Sequence, residues 1–211
     1  MNRQEALQHF YDTYVKPAYE EQLDALERNY HSCKDDLSEQ FIQSFRGLCM
    51  KIREKQSAGE KGTIGYITYS MRRTFIMENK FEHTVHAYDR NWFFDQDPCC
   101  TAYDSSWIFG RLERLEAEWK AKSRLYMNKI FAPDVERIKL QKAAELNRYL
   151  VYLAQEVMPL AAELPEFQDL ACENDLEVYA GEYKGRMDLV YQKKKSSVQV
   201  TMKPVRSREI L

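Results

Sequence analysis

An apolar stripe in the first quarter of the chain limits the folds that it can adopt. Its members follow one another at steps of three and four residues; they are Leu23, Leu26, Tyr30, Cys33, Leu37, Phe41, Phe45, Leu48 and Ile52. This spacing places the side chains on one helix face, which other elements must bury. The successive four-residue steps after Leu37 break a strict heptad repeat, so they favour a globular helical bundle over a long supercoil.

The composition fits one predominantly helical domain. A chain of 211 residues is long enough for one hydrophobic core, and its 7 glycines, 6 prolines and 30% charged residues are typical of long solvated helices. We therefore predict an α+β fold, predominantly α, with a bundle of four or five helices in residues 1–192. A basic C-terminal tail, residues 193–211, follows the bundle and is expected to be solvated.

Apolar periodicity locates the helices of this bundle. The first predicted helix begins near Arg3. Three further helices are predicted over residues 18–55, 105–131 and 133–162. Pro17 should kink or interrupt the first helix, because proline lacks the backbone donor of the helix ladder. Residues 63–80 leave two alternatives open. The spacing of Ile64, Ile67 and Met71 predicts a helix, whereas the Thr, Ile and Tyr content of the segment favours a strand.

The remaining regular segments predict a small antiparallel sheet of two or three strands. Residues 176–179 and 187–191 flank a turn bounded by Gly181 and Gly185, as in a C-terminal β-hairpin. Residues 81–88 alternate between apolar and polar side chains and would add a third strand to that hairpin.

Charge is distributed unevenly between the tail and the rest of the chain. The whole chain carries a net charge of −2, but from residue 193 onward six cations face one anion, Glu209. Those cations are Lys193, Lys194, Lys195, Lys203, Arg206 and Arg208. The tail is the one hint of a nucleic-acid partner, and the acidic body before it argues against such a partner.

The sequence also bears on the compartment. The first residues, Met1 to Ala6, lack the apolar core of a secretory signal, and no apolar run approaches the length that crosses a bilayer. The cysteines number five, an odd count that fits a reducing environment. We therefore expect a cytoplasmic protein with no membrane partner.

Motifs for catalysis or metal binding are weak throughout the sequence. His83 and His86 form the one close histidine pair, but on a strand an odd separation directs their side chains to opposite faces. The neighbouring Cys99 and Cys100 lack the spacer that cysteine ligands of one metal ion normally have. We predict no catalytic residue, no metal site and no cofactor.

Residues 89–104 carry the strongest functional signal, since they mix aromatic side chains with carboxylates. In one interpretation the aromatic residues fix this loop to the bundle; in the other they form a recognition surface with an acidic rim. The second interpretation predicts these contact residues: Trp92, Phe94, Asp95, Asp97 and Tyr103. The acidic body would then suit a basic protein partner.

The sequence therefore favours a non-catalytic, cytosolic protein-binding module. One concrete form is an inhibitor such as a bacterial immunity protein that neutralises a basic toxin. The alternative is a metal-dependent hydrolase or nucleotide-handling enzyme whose carboxylates assemble in the bundle, although the Glu-x-x-His pairs of such bundles do not occur here. The long apolar stripe also leaves a homodimer open.

Overall fold

The apolar stripe is shared between two helices in the computed structural model, which describes residues 1–193. Helices α2 (Lys16–Ser32) and α3 (Lys34–Ser57) meet at Cys33, whose backbone leaves the helical region. At this junction the Ser32 hydroxyl donates to the Asn29 carbonyl, a side-chain bond that competes with the helical ladder. The predicted continuous helix over residues 18–55 is therefore wrong, whereas the predicted burial of Phe41 and Phe45 is confirmed.

Pro17 is accommodated by a change in helical winding. Helix α1 (Arg3–Phe10) continues into a π-helical turn, Tyr11–Val15, in which the Lys16 N–H donates to the Tyr11 carbonyl. Because proline has no N–H to donate, a register change immediately before Pro17 lets the chain remain helical. The predicted interruption thus takes the form of one wider turn.

The later helices are shorter and more numerous than the periodicity predicts, so the predicted count of four or five helices is wrong for residues 1–193. They are α4 (Arg73–Met77), α5 (Ser106–Phe109), α6 (Leu112–Ser123), α7 (Ala132–Leu146), α8 (Arg148–Ala161) and α9 (Pro165–Gln168). The predicted helix over residues 105–131 ends early because Met127 and Asn128 adopt left-handed backbone conformations, with φ of 48° and 61°. The one over residues 133–162 is divided at Asn147. In residues 1–193 no helix has both the length and the apolar character needed to cross a membrane.

The sheet is larger than predicted and of mixed direction. Its strands are β1 (Ile64–Met71), β2 (Glu82–Tyr88), β3 (Cys99–Asp104), β4 (Cys172–Glu182) and β5 (Met187–Gln192). They lie in the order β3-β2-β1-β4-β5, with β1 and β4 parallel and the other pairs antiparallel. The prediction of a small antiparallel sheet of two or three strands is therefore wrong.

Strand β1 accounts for this difference. It is the central strand and is buried over almost its whole length, so its apolar side chains do not alternate as on a half-exposed strand. The helix alternative for residues 63–80 is wrong over β1 and correct only for the short α4. The C-terminal hairpin and the strand over residues 81–88 are confirmed, but β1 lies between them.

The two faces of the sheet have different cover. Helices α3 and α8 contact each other and pack on one face, where the Phe41 ring stacks on Tyr69 at a centroid distance of 4.7 Å. Tyr66, an odd number of residues from Tyr69, points to the opposite face. That face, called the outer face below, is covered by Trp92 and Phe93 of the β2–β3 connection.

Strand β2 sends its two histidines to different faces. His83 pairs in register with Met71, is fully buried on the helical face, and its Nε2 lies 2.7 Å from the Asn147 Oδ1 at the α7–α8 junction. His86 pairs with Thr68 and lies on the outer face. The basic tail predicted for residues 193–211 lies outside the described residues except for Lys193.

Candidate functional site

The connection between β2 and β3, residues 89–98, carries four of the five predicted contact residues. We call it the acidic loop, and it contains one 3-10 turn, Trp92–Phe94. Trp92, Phe94, Asp95 and Asp97 lie on it, whereas Tyr103 lies on β3. The structure therefore brings four predicted residues together and separates the fifth from them.

Asp95 is the internal anchor of the acidic loop. Its carboxylate lies 2.5 Å from the Lys61 ammonium, and both side chains are only 5% exposed. The same carboxylate accepts hydrogen bonds from the backbone N–H groups of Asp89 (2.8 Å) and Asp97 (3.0 Å). Burial by itself would raise the pKa of Asp95, but these hydrogen bonds outweigh it and the pKa lies below its usual value. Asp95 thus fixes the loop and is enclosed by it.

Asp97 provides a second, more exposed attachment. Its carboxylate lies 2.6 Å from the Lys55 ammonium of α3, and its side chain is 62% exposed. The Asp97 carbonyl accepts a further hydrogen bond from Lys61 at 2.7 Å. The chain on this side of the loop is therefore tied to α3 and to the segment before β1, while an accessible carboxylate edge remains.

Trp92 attaches the other side of the loop to the outer face of the sheet. Its ring lies between Tyr66 and Tyr179, at centroid distances of 4.0 Å and 4.9 Å. Its backbone φ is 56°, a left-handed conformation that is unusual for a bulky side chain and costs about 1–3 kcal/mol. The packing of the ring against the two tyrosines holds the turn in this conformation.

Phe94 points away from all of these attachments. Its side chain is 83% exposed, although its backbone N–H donates to Asn91 (3.1 Å) and its carbonyl accepts from the Gln96 side chain (2.9 Å). The backbone is thus fixed while the ring lies in solvent. Single exposed apolar residues are common on protein surfaces, so the position of this ring beside an acidic cavity matters more than its exposure alone.

Tyr103 belongs to the hydrophobic core. It is 3% exposed, its ring meets Phe41 edge-on, and its hydroxyl accepts a hydrogen bond from the Trp107 Nε1 at 3.0 Å. Burial raises the pKa of Tyr103 to about 12, so the phenol stays protonated at neutral pH. The structure gives this residue a packing role.

A surface cavity of about 450 Å³ lies beside Phe94 and has an acidic lining. Its carboxylates come from Glu60, Asp89, Asp95, Asp97 and Glu173, and its cations are Lys61 and Arg90. Within residues 1–193, Glu60, Asp89 and Glu173 form no ion pair. Arg90, the second cation of the lining, forms no ion pair among these residues either, so three unpaired carboxylates face one unpaired cation and the surface around the exposed ring keeps a net negative charge.

Sequence reasoning missed the contributions from outside the loop. Glu60 and Lys61 precede β1, and Glu173 begins β4, more than 70 residues further along the chain than the loop. The parallel pairing of β1 with β4 brings these two segments together at one end of the sheet. No local pattern in the sequence encodes that pairing.

The described residues offer no grouping suited to a metal ion. Across residues 1–193, no three His, Cys, Asp or Glu side chains cluster as metal ligands would. The chemical feature of this surface is the exposed Phe94 ring beside a cavity whose charged lining residues are mainly carboxylates.

Comparison of the chain with protein-family models, with curated proteins and with solved structures gave no match. The function is therefore inferred from the geometry of the chain itself.

Proposed function

We propose that this protein is a non-catalytic binding module that captures a basic protein segment on its acidic loop. The observation that supports this most directly is Phe94, a ring 83% exposed on a fixed backbone beside a cavity whose lining has more carboxylates than cations. Of the predicted contact residues we retain Phe94, Asp97 and the supporting Trp92. Burial removes Asp95 and Tyr103 from the contact surface.

Two physical effects favour such a surface. Aromatic anchors at interface centres commonly contribute about 2 kcal/mol or more each to binding, and a loop that is already ordered loses little entropy when it binds. The uncompensated carboxylates would accelerate encounter with a cationic partner and discriminate against acidic ones. The Phe94 ring would then control the lifetime of the complex, and the carboxylates would control the rate at which the complex forms.

The finer form of this proposal is an inhibitor, such as an immunity protein that neutralises a basic toxin. Toxins that act on nucleic acid need cationic surfaces, and an acidic loop is complementary to such a surface. We place the protein in the cytoplasm, where thiols stay reduced, because all five cysteines are free.

Phe94→Ala is expected to weaken partner binding by about 30-fold, equivalent to roughly 2 kcal/mol. The partner is first isolated with tagged protein from native cells at low and moderate salt, then purified. Its affinity for the wild type and the variant is measured by surface plasmon resonance. The matched control is Leu160→Ala, because Leu160 is an exposed apolar residue (66%) on α8.

A purified basic protein that binds one to one, is weakened by Phe94→Ala and is unaffected by Leu160→Ala supports the proposal. The absence of any stoichiometric partner, or equal binding by wild type and Phe94→Ala, contradicts it. A partner with an acidic surface also contradicts it, since the carboxylates of Glu60 and Glu173 would repel that surface.

A further inference from the structure

A second polar cluster lies on the outer face of the sheet, around the ring of Tyr183 in the β4–β5 turn. The Arg72 guanidinium carbon lies 4.0 Å from the centroid of this ring, and the Lys184 ammonium lies 5.6 Å from it. The rings of Phe93 and His86 lie 5.8 Å and 6.2 Å away, centroid to centroid. Two cations, a histidine and two aromatic rings thus converge at one place.

The two cations of this cluster lack an anionic partner among residues 1–193. Neither Arg72 nor Lys184 forms an ion pair within the part of the chain that the structure describes. The Arg72 Nε donates to the Thr84 hydroxyl at 2.9 Å, which orients the guanidinium and leaves its two terminal nitrogens for another acceptor.

Two cations close to this cluster, in contrast, form ion pairs with carboxylates. Arg73 contacts Glu182 at 2.5 Å, and Lys80 contacts Glu82 at 2.7 Å. Acidic side chains are therefore present at this end of the sheet, yet they pair with cations other than Arg72 and Lys184. The uncompensated positive charge is a local property of the cluster.

His86 is a second, independent sign of a missing partner. It is only 7% exposed, and its Nδ1 is buried with no hydrogen-bond partner among the described residues. A buried polar atom without a partner costs about 1–3 kcal/mol, and native proteins leave few of them. Burial and the nearby Arg72 charge lower the pKa of His86 to about 4, so the ring is neutral at pH 7.

We propose that the cluster of Arg72, Lys184 and His86 binds the oxyanion of a small ligand, a phosphate or a carboxylate. The terminal nitrogens of Arg72 and the Lys184 ammonium donate to the anion, and a planar guanidinium matches both of these groups. His86 adds a donor in its Nδ1–H tautomer. Phe93 and Tyr183 flank the anion and exclude water from it, which strengthens its hydrogen bonds.

This site is separate from the acidic loop surface and does not depend on the proposed binding of a basic protein. A positive cluster attracts anions, and the acidic rim attracts cations. The two sites share only the connection between β2 and β3, which contributes Phe93 to one and Phe94 to the other. Loss of one activity therefore leaves the other open to measurement.

The test is an NMR titration of the full chain with inorganic phosphate and, separately, with acetate. Ionic strength is held constant with chloride, and the signals of the Arg72 side-chain N–H and the His86 ring are followed. We expect saturable shifts with at least one of the two anions. The anion that saturates the signals identifies phosphate or carboxylate as the group recognised.

Variants decide whether the shifts report this site. Arg72→Gln is expected to weaken binding by about tenfold or more, because it removes hydrogen bonds from a charged donor. Lys184→Gln, at an exposed position in the turn, is expected to weaken it by about two- to fivefold. Lys80→Gln is the matched control, since it removes a nearby cation already paired with Glu82, and it should leave binding unchanged.

Linear, non-saturating shifts with both anions would overturn the proposal. The proposal would also be overturned if Lys184→Gln and Arg72→Gln both bound the anion as tightly as the wild type does. If Arg72→Gln fails to fold, Lys184→Gln still decides the outcome. A loss of affinity in Lys80→Gln equal to that in Lys184→Gln would show a general charge effect and would also count against the site.

Discussion

Asp95→Ala is expected to lower the free energy of unfolding by about 4 kcal/mol at pH 7. The substitution leaves the ammonium of Lys61, whose side chain is 5% exposed, without its counter-ion. It also removes the acceptor of two backbone N–H groups, those of Asp89 and Asp97. Uncompensated buried charges and donors are among the few lesions with effects of this size. Urea unfolding followed by circular dichroism measures the change.

The control for Asp95→Ala is the other ion pair of the same loop. Lys55→Ala breaks a contact with a largely exposed carboxylate, that of Asp97, and is expected to lower the free energy of unfolding far less than Asp95→Ala does, because solvent screens this pair. The double variant Lys61→Met with Asp95→Ala should recover part of the loss, because no charge remains buried. Equal effects of Asp95→Ala and Lys55→Ala would show that burial of the Lys61–Asp95 pair is unimportant.

As the pH is lowered from 6.5 to 4, we expect the free energy of unfolding to fall by on the order of 3 kcal/mol because of His83. Burial lowers its pKa from 6.5 to about 4 in the folded state. The unfolded chain therefore binds more protons than the folded chain in this interval. The stability that the neutral, buried His83 ring contributes is complete above pH 6.5 and is lost as the pH falls towards 4.

The geometry around His83 explains this acid sensitivity. Its Nε2 donates to Asn147, so the neutral tautomer leaves Nδ1 without a proton, and Nδ1 is buried with no acceptor nearby in the described residues. Protonation would add a donor and a charge in that place. The change is measured as the urea-unfolding free energy at intervals across the pH range.

Two variants test the assignment to His83. His83→Gln should reduce the pH dependence by about the His83 contribution and leave a remaining slope from His86, whose pKa is also lowered to about 4. Asn147→Asp places a carboxylate beside Nε2, favours the protonated ring and should reduce the loss of stability at pH 5 relative to pH 7. An unchanged slope in both variants would assign the acid sensitivity to other groups.

Local patterns in the sequence predict where the buried helix faces lie, but they predict the ends of the helices and the sheet poorly. The periodicity around Phe41 and Phe45 identifies a buried helix face, because the helical period is a local property of the chain. The central strand escapes detection because both of its faces are buried, so its residues do not alternate. Its parallel partner β4 lies more than 100 residues away, and such a pairing leaves no local signal.

The candidate site shows the same division. The mixture of aromatic and acidic residues in the sequence identifies the acidic loop, including Phe94. Which of its carboxylates is enclosed depends on Lys61, which joins the loop through tertiary contacts alone. The cluster at Tyr183 combines three segments of chain, and residues as ordinary as Arg72 and Lys184 carry no motif.

The parallel pairing of β1 with β4 also has a consequence for synthesis on the ribosome. β1 and β2 can pair as soon as both have emerged, but one edge of β1 stays open until β4, more than 100 residues later, has been made. An open apolar edge is a template for pairing with other chains, and long-range pairings close slowly. Nascent chains that end before Cys172 should therefore be the aggregation-prone species, and chaperones that hold such chains would raise the yield of folded protein.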